Sequence, residues 1–431
     1  MASTIPAEVS TLALHQPANP PETACCIVGG GPAGAILALL LARNGVRVTL
    51  LEMHKDFDRE FRGDTVHPST LEILDQIGLA GRVHQLRHSK VTSPAIQTAS
   101  GTFAPFDLSR LKTKFPYILM IPQKNLLELL TDEAARYPSF HLEMGANVTE
   151  LIQADGVVRG VRYIQNGRTL ELRAALTVGA DGRFSRVRHL AGIAPVGNAP
   201  PMDVLWFRLP RVPDDPLGPG GAFGGIGHGH MVIGLDRGDY WQAGYVIPKG
   251  TYQGVRAEGI EGLRSHILEI VPQLKPHVEG LTDWRQVSLL SVESSRCPRW
   301  CAPGMLLIGD AAHVMSPLAG VGINYAVQDA VVAANLLTRP LLAGRPPLAL
   351  LKAVQRKRKW PTRIIQSFQA QAQKRVVASA LRSQQMIRIP WFVRFFLAIP
   401  YVRDLPARLI ALGMFRVRVA PGLLGRPPIA Q

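Results

Sequence analysis

Cysteine is scarce in this chain: four among 431 residues. Cys25 and Cys26 are adjacent in an apolar run, where they read as small core residues. Cys297 and Cys301 form C-x-x-x-C with no histidine or further cysteine nearby. That excludes a disulfide framework and a zinc ribbon, and no metal site is expected. The thiols suit a reduced, cytoplasmic setting. Acidic residues are also few, 32 against 48 Lys and Arg, a net charge of +16. The basic residues are scattered, with no zinc-finger spacing, RNA-binding strand signature or basic heptad region. The charge therefore speaks for phosphorylated cofactors or an anionic membrane surface rather than nucleic acid. Long hydrophobic runs are missing too. The apolar stretch 390–402 has 13 residues and contains Arg394 and Pro400, short of the ~20 that span a bilayer. Residues 1–22 carry no secretory signal and read as a flexible leader with Pro17, Pro20 and Pro21. There is no internal repeat. With 47% hydrophobic and 19% charged residues, the rest is globular and long enough for two domains that share an interface.

What is present centres on residues 24–52. A buried strand over 25–28 leads into Gly29, Gly31 and Gly34, a G-x-G-x-x-G turn that also holds Pro32 and Ala33. The first glycine permits the tight turn, the second lets a pyrophosphate approach the backbone, and the third lets helix and strand pack closely. A helix over 36–42 ends at Asn44-Gly45, and a strand over 46–51 ends in Glu52. That carboxylate lies where a ribose hydroxyl needs an acceptor. The unit predicts the ADP half of a dinucleotide, with its phosphates on the helix N-terminus.

Further elements follow in order. Ser69 and Glu72 form a capping box for a helix over 69–77, stopped by Gly78. Residues 90–106 read as a hairpin around Gly101, 118–121 as a strand, and 123–136 as a helix. Residues 140–152, 157–163 and 169–172 read as paired strands, and 176–178 as another. Strands are expected over 204–209, 231–235, 240–247, 289–292 and 305–308. An amphipathic helix is expected over 255–270 and another helix over 324–337; from about residue 348 the chain is helical and basic.

Three glycine segments each lie just past an apolar strand: 29–34, 179–182 and 309–322. In open α/β sheets cofactors sit at the carboxyl ends of strands, so one cofactor is contacted from distant parts of the chain. Here the sequence resembles the class A flavoprotein monooxygenases, the family of p-hydroxybenzoate hydroxylase, over roughly residues 24–337. Gly179-Ala180-Asp181-Gly182 with Ser185 and Arg188 resembles the motif that serves FAD and the passing nicotinamide. Gly309-Asp310-Ala311-Ala312-His313, with Pro317 and the run from Gly320 through Gly322 and Ile323 to Asn324, resembles the motif that holds ribitol and pyrophosphate.

The resemblance implies an α/β fold. A Rossmann-like FAD-binding domain would comprise about 23–88, 112–193 and 288–340. An inserted β-sheet substrate domain would comprise about 89–111 and 194–287, and a helical, basic C-terminal region 341–431. It implies that Asp310 accepts a ribityl hydroxyl and that backbone N–H groups around Gly322, Ile323 and Asn324 favour negative charge on the reduced flavin. Arg62 is similar to an arginine beside the isoalloxazine, and Gln123 to a glutamine near the ribityl phosphate. Each keeps a second reading: a surface ion pair with Asp64 or Glu60 for Arg62, an ordinary helix start for Gln123. His313 reads as structural. The implied cycle is reduction of FAD by NADPH or NADH, reaction with O2 to a C4a-hydroperoxide, and oxygen transfer to an aromatic, quinone-like or polyketide-type small molecule.

The catalytic residue is not legible. Arg62, Pro317, Tyr240, and the histidines of Gly-His-Gly-His (His228, His230) are candidates, the last three with turn or sheet packing as the competing reading. Three other functions stand beside hydroxylation. A flavin halogenase would carry W-x-W-x-I-P, whereas residues 241–248 read WQAGYVIP. A flavin reductase, oxidase or epoxidase acting on a lipophilic, prenyl-type substrate shares the flavin motifs, and so would a non-enzymatic flavoprotein. Arg388, Arg394, Arg403, Arg408, Arg416 and Arg418, interleaved with aromatics and leucines, suit either peripheral contact with an anionic membrane or a helical cap packed on the FAD domain.

Overall fold

The computed structural model describes residues 22–58, 65–98, 101–104, 106–218, 221–383 and 400–424. Arg62, Arg388, Arg394, the leader up to residue 21 and residues 390–399 of the apolar stretch lie outside them.

Strand β1 (Glu22–Val28) enters the middle of an eight-stranded sheet. It lies parallel between β2 (Val48–Glu52) and the strand Arg168–Gly179. Met305–Leu307 extends the sheet on one side and Phe140–Met144 on the other, both parallel. Strands covered on both faces read as continuous apolar runs, which is why 25–28, 176–178 and 305–308 were legible. The register places Val28 opposite Gly179 and Leu51, and Gly179 opposite Leu307. Four strand ends therefore finish in one row. The residues just beyond are stitched across it: Ala180 N–H donates to Val28 O (2.7 Å), Ile308 N–H to Gly179 O (3.0 Å) and Gly29 N–H to Leu51 O (2.8 Å). Helix α1 (Pro32–Ala42), buried at every position from Ala33 on, packs on the helices Gly322–Leu342 and Gln123–Ala135.

A second sheet has seven strands, in the order Ser288–Ser291, Met202–Pro210, Tyr240–Pro248, His230–Asp236, Ala222–Gly227, Ala95–Thr98, Gly101–Phe103. One face carries Leu205, Phe207, Val232, Trp241 and Tyr245 beneath the helix Gly259–Ile270. The other carries Val204, Trp206, Met231, Ile233 and Val246 toward Val377 and Leu381 of the C-terminal helices.

Several expectations are corrected. The capping box does not form: Pro68 starts the helix Pro68–Gln76 with His67 as its N-cap. Ser69 instead donates to Asn324 Oδ1, and Glu72 accepts from Thr113 Oγ (2.6 Å). The expected strands 169–172 and 176–178 are one strand, whose first half pairs antiparallel and whose second half pairs parallel. The expected strand 140–152 is two strands, Phe140–Met144 and Asn147–Ala154, in different parts of the sheet. The helix expected over 255–270 is two, Tyr252–Ala257 and Gly259–Ile270, because Gly259 takes φ +79°.

The C-terminal chain forms the helix Leu348–Ala372, a π-helical turn Gln373–Val377, and the helices Ala378–Arg382 and Pro400–Leu412. Its first helix belongs to the core. Gln366 and Gln369 are buried, and their amides donate to the carbonyls of Ser295 and Val314, and of Ser316 and Leu318. Among the described residues no helix is long and apolar enough to cross a membrane.

Candidate cofactor site

The three glycine segments meet at the row of strand ends. In the first, the glycines have different reasons to be glycine. Gly29 takes φ +105°, and a Cβ there would lie 2.5 Å from Ala180 O. A Cβ on Gly34 would lie 2.0 Å from Gly29 O. Both are required by the protein itself. Gly31 has φ −69°, an ordinary value, and a Cβ there meets nothing within 4 Å. It is the N-cap of α1, no side chain caps it, and Pro32 and Ala33 follow in the first turn. A helix start without a side-chain cap offers N–H groups and a positive dipole end. A glycine with no internal reason fits a phosphate group seated there, so the residues present fit FAD.

Glu52 is buried at the end of β2. Its Oε2 accepts from Gly30 N–H (2.8 Å), and its Oε1 accepts from His54 N–H (3.0 Å) and lies 2.6 Å from His54 Nδ1. The carboxylate therefore braces the glycine turn.

In the second segment, Asp181 accepts from Ser185 Oγ (2.5 Å) and Val187 N–H (3.0 Å), at the start of the helix Arg186–Leu190. Burial pushes its carboxyl up, against the pull of these hydrogen bonds. Gly182 supplies a left-handed turn, φ +80°. Arg188 donates to Ala311 O (3.1 Å) and Arg183 O (2.6 Å), so its guanidinium ties the second segment to the third.

In the third segment, Gly309–Ala311 is a single 3₁₀ turn carrying the half-buried Asp310. Gly309 N–H donates to Asp329 Oδ2 (3.0 Å), and His313 Nε2 lies 2.5 Å from the same oxygen. Pro317 precedes the turn Leu318–Gly320. Having no titratable group, it acts only by shape. Gly320 O accepts from Thr65 Oγ (2.8 Å), and its φ is +62°. Gly322 opens the helix Gly322–Leu342 with no side-chain cap, and Ile323 and Asn324 follow, buried. Asn324 Oδ1 accepts from Thr70 Oγ (2.9 Å) and from Ser69. Its Nδ2 is buried without a partner among the described residues. Gln123 begins the helix Gln123–Ala135, just after the strand Ile118–Met120.

The structure does not gather the other candidates here. His228 is the exposed tip of the hairpin between Ala222–Gly227 and His230–Asp236, with φ +52°. His230 stacks on Tyr245 (4.9 Å) and His266 (5.3 Å), on the helix-covered face of the second sheet. Burial and the neighbouring His266 lower its pKa. His228 thus sits in a turn and His230 in sheet packing. Tyr240 starts its strand half-buried under the Arg208 guanidinium, 5.0 Å from the ring centroid. Among the described residues no group of histidine, cysteine and acidic side chains could hold a metal ion.

Some residues at the site escape sequence reasoning. Asp329 is the only charged residue of its helix before Arg339. A lone charge on an apolar helix signals a buried partner but does not say which. That partner, Arg358, donates through Nε to Asp329 Oδ1 (2.6 Å).

A parallel sheet with glycine turns at its carboxyl edge and an open helix N-terminus defines a dinucleotide-binding protein. The model of the FAD binding domain family matches residues 22–367, and the chain belongs to that family. It is 35% identical over 328 residues to 6-methylpretetramide 4-monooxygenase of Streptomyces rimosus, 75% of this chain and 77% of that one. It is 30% identical over 363 residues to the 12-dehydrotetracycline 5-monooxygenase/anhydrotetracycline 6-monooxygenase of the same species, 80% of this chain and 68% of that one. The solved structure of the anhydrotetracycline hydroxylase OxyS from Streptomyces rimosus superposes with a TM-score of 0.71 at 25% identity, covering 90% of this chain and 76% of that one. The chain is an FAD-dependent monooxygenase, an oxidoreductase whose family draws electrons from NAD(P)H.

Proposed function

We propose that the substrate is an apolar, polycyclic phenol of the aromatic polyketide type. The observation that carries this reading is the apolar face of the second sheet. Trp206, Met231, Ile233 and Leu235 lie there, the last three half-buried. Phe106 and Leu235 both pack on the cluster of Val91, Leu108, Ile118 and Met120, and Phe106 also packs on that of Met315, Val321 and Tyr325, which joins this face to the third glycine segment. The relatives that act on tetracycline precursors support the same class.

In this reading the parts about 89–111 and 194–287 form a substrate domain inserted into the FAD-binding domain. When bound, FAD supplies the oxygen-transferring chemistry, using electrons from NAD(P)H. The first turn of α1 holds the pyrophosphate, Glu52 the ribose, and Asp310 a ribityl hydroxyl. The N–H groups that open the helix Gly322–Leu342 favour negative charge at the flavin's carbonyl edge. The apolar face orients the substrate and excludes water. The C-terminal surface, where Leu405, Met414 and Phe415 are exposed beside Arg408 and Arg418, makes reversible contact with anionic lipid.

The test is a screen of NAD(P)H oxidation against polycyclic phenols, small phenols and prenyl lipids, with product mass. Polycyclic phenols should stimulate oxidation most and gain one oxygen atom. Stimulation by prenyl lipids alone, with no oxygen gained by a phenol, would establish the reductase or epoxidase reading instead.

A further inference from the structure

Arg358 is 1% exposed and Asp329 fully buried. Arg358 belongs to the helix Leu348–Ala372, which supplies none of the glycine turns. Its Nε donates to Asp329 Oδ1 (2.6 Å), its Nη2 donates to Tyr325 O (3.4 Å), and its guanidinium lies 5.4 Å from the Tyr325 ring centroid. Asp329 spends its other oxygen on Gly309 N–H (3.0 Å) and His313 Nε2 (2.5 Å). The His313 ring in turn packs against Trp300, 5.0 Å between centroids.

We propose that Arg358 is a positioning residue for the cofactor: by holding Asp329 against Gly309 and His313 it fixes the turn that presents Asp310. The inference rests on the reading of Asp310 as a cofactor ligand.

A buried ion pair contributes little net stability, because desolvating both charges offsets most of their attraction. Hydrophobic residues of the same volume would serve the core as well. The pair is better explained by what it orients. One guanidinium reaches both ends of the third segment: the Gly309 turn through Asp329, and the start of the helix Gly322–Leu342 through Tyr325 O. These two ends carry the Asp310 and Gly322–Asn324 contacts assigned above. Burial would raise the Asp329 carboxyl, but His313 and Arg358 outweigh it and hold the group below its ordinary range. The anion that grips Gly309 N–H is thus kept charged, and a charge-assisted hydrogen bond is the stronger kind.

The experiment uses the full chain, stripped of flavin and titrated with FAD. Flavin fluorescence gives the dissociation constant, the visible absorption spectrum reports the bound ring's surroundings, and the thermal midpoint of the apoprotein reports folding. Arg358→Met should weaken FAD binding by about tenfold or more, as loss of an outer supporting residue does at other precisely built sites, and should alter the bound-flavin spectrum. Arg358→Lys should recover part of both. The double variant Arg358→Met/Asp329→Asn removes both partners of the Arg358–Asp329 ion pair. It should restore the thermal midpoint while affinity stays weak, and it carries the test if the single variant does not fold. Wild-type affinity and spectrum in a folded Arg358→Met or double variant would overturn the proposal. So would an affinity that recovers in step with the thermal midpoint in the double variant. Asp310→Asn separates the two readings. If it leaves the dissociation constant unchanged, the assignment of Asp310 fails. If it weakens binding while the Arg358 variants do not, only the positioning role fails.

Discussion

Gly31 and Gly34 are three positions apart in one motif, yet they answer to different constraints. A Cβ on Gly34 collides with Gly29 O at 2.0 Å, whereas one on Gly31 meets nothing. Gly34→Ala should therefore destabilise the apoprotein, by roughly 1–3 kcal/mol if the backbone must shift to relieve the overlap. Gly31→Val should leave the apoprotein's thermal midpoint within a few degrees of wild type and abolish FAD retention. Thermal melts of both apoproteins with flavin absorbance after desalting check this. A Gly31→Val protein that purifies yellow would remove the phosphate from that position. The sequence motif already gave these glycines separate tasks, but it could not name the atom each one spares, because the pattern records residue type and not its neighbour. The same limit hid the second role of Glu52. Its place at a strand end suggested a ribose, whereas its bond to Gly30 N–H depends on the curl of the turn.

Among elements, the legible ones were those whose pattern is local. The βαβ unit, the strand ending in Gly179, the strand Met305–Leu307 just before Gly309, and the helix from Gly322 announce themselves by apolar runs bordered by glycine. The strand Ala222–Gly227 does not. Its sequence AFGGIG has little strand propensity, and it is held by pairing with His230–Asp236 and by the Phe223 ring lying over Gly234. His67 was missed for a similar reason, its partners being remote. Buried at the N-cap of Pro68–Gln76, it places Nδ1 3.0 Å from Ile410 O and Nε2 3.1 Å from Gly320 O, linking the last helix to the third segment. Burial lowers its pKa to about 4, the two backbone contacts opposing weakly, whereas the unfolded chain has the ordinary value near 6.5. Between these values the unfolded state binds the proton and the folded state does not, so stability falls as the pH drops from about 6.5 to about 4. The cost over that window is on the order of 3 kcal/mol. His67→Asn should be less stable than wild type at pH 7 but should lose less on going to pH 5. Melts at the two pH values check this, and equal losses in the two proteins would assign the acid sensitivity elsewhere.

The whole molecule carries +16, and near the C-terminus exposed apolar side chains stand beside arginines. Leu405 is 69% and Phe415 57% exposed, with Arg408 and Arg418 beside them in the chain. Each basic residue near an anionic bilayer contributes about 1 kcal/mol, and the attraction is screened by salt. The protein should co-sediment with vesicles containing anionic lipid at low ionic strength, and less so as salt rises. Arg408→Glu/Arg418→Glu should release it. Full-length protein that stays in the supernatant at low salt would leave this surface without a lipid role. The strand Arg168–Gly179 has a consequence of another kind, for synthesis on the ribosome. It is the central partner of β1, yet roughly 150 residues separate Val28 from Gly179. At 5–20 residues per second, β1 and β2 wait on the order of 10 s before the strand that completes their sheet emerges. Throughout that interval Cys25, Ile27, Leu50 and the apolar helix between them have no cover from the finished sheet. The nascent chain should therefore depend on chaperones that bind early and let go late, and slowing translation before residue 179 should lengthen that dependence.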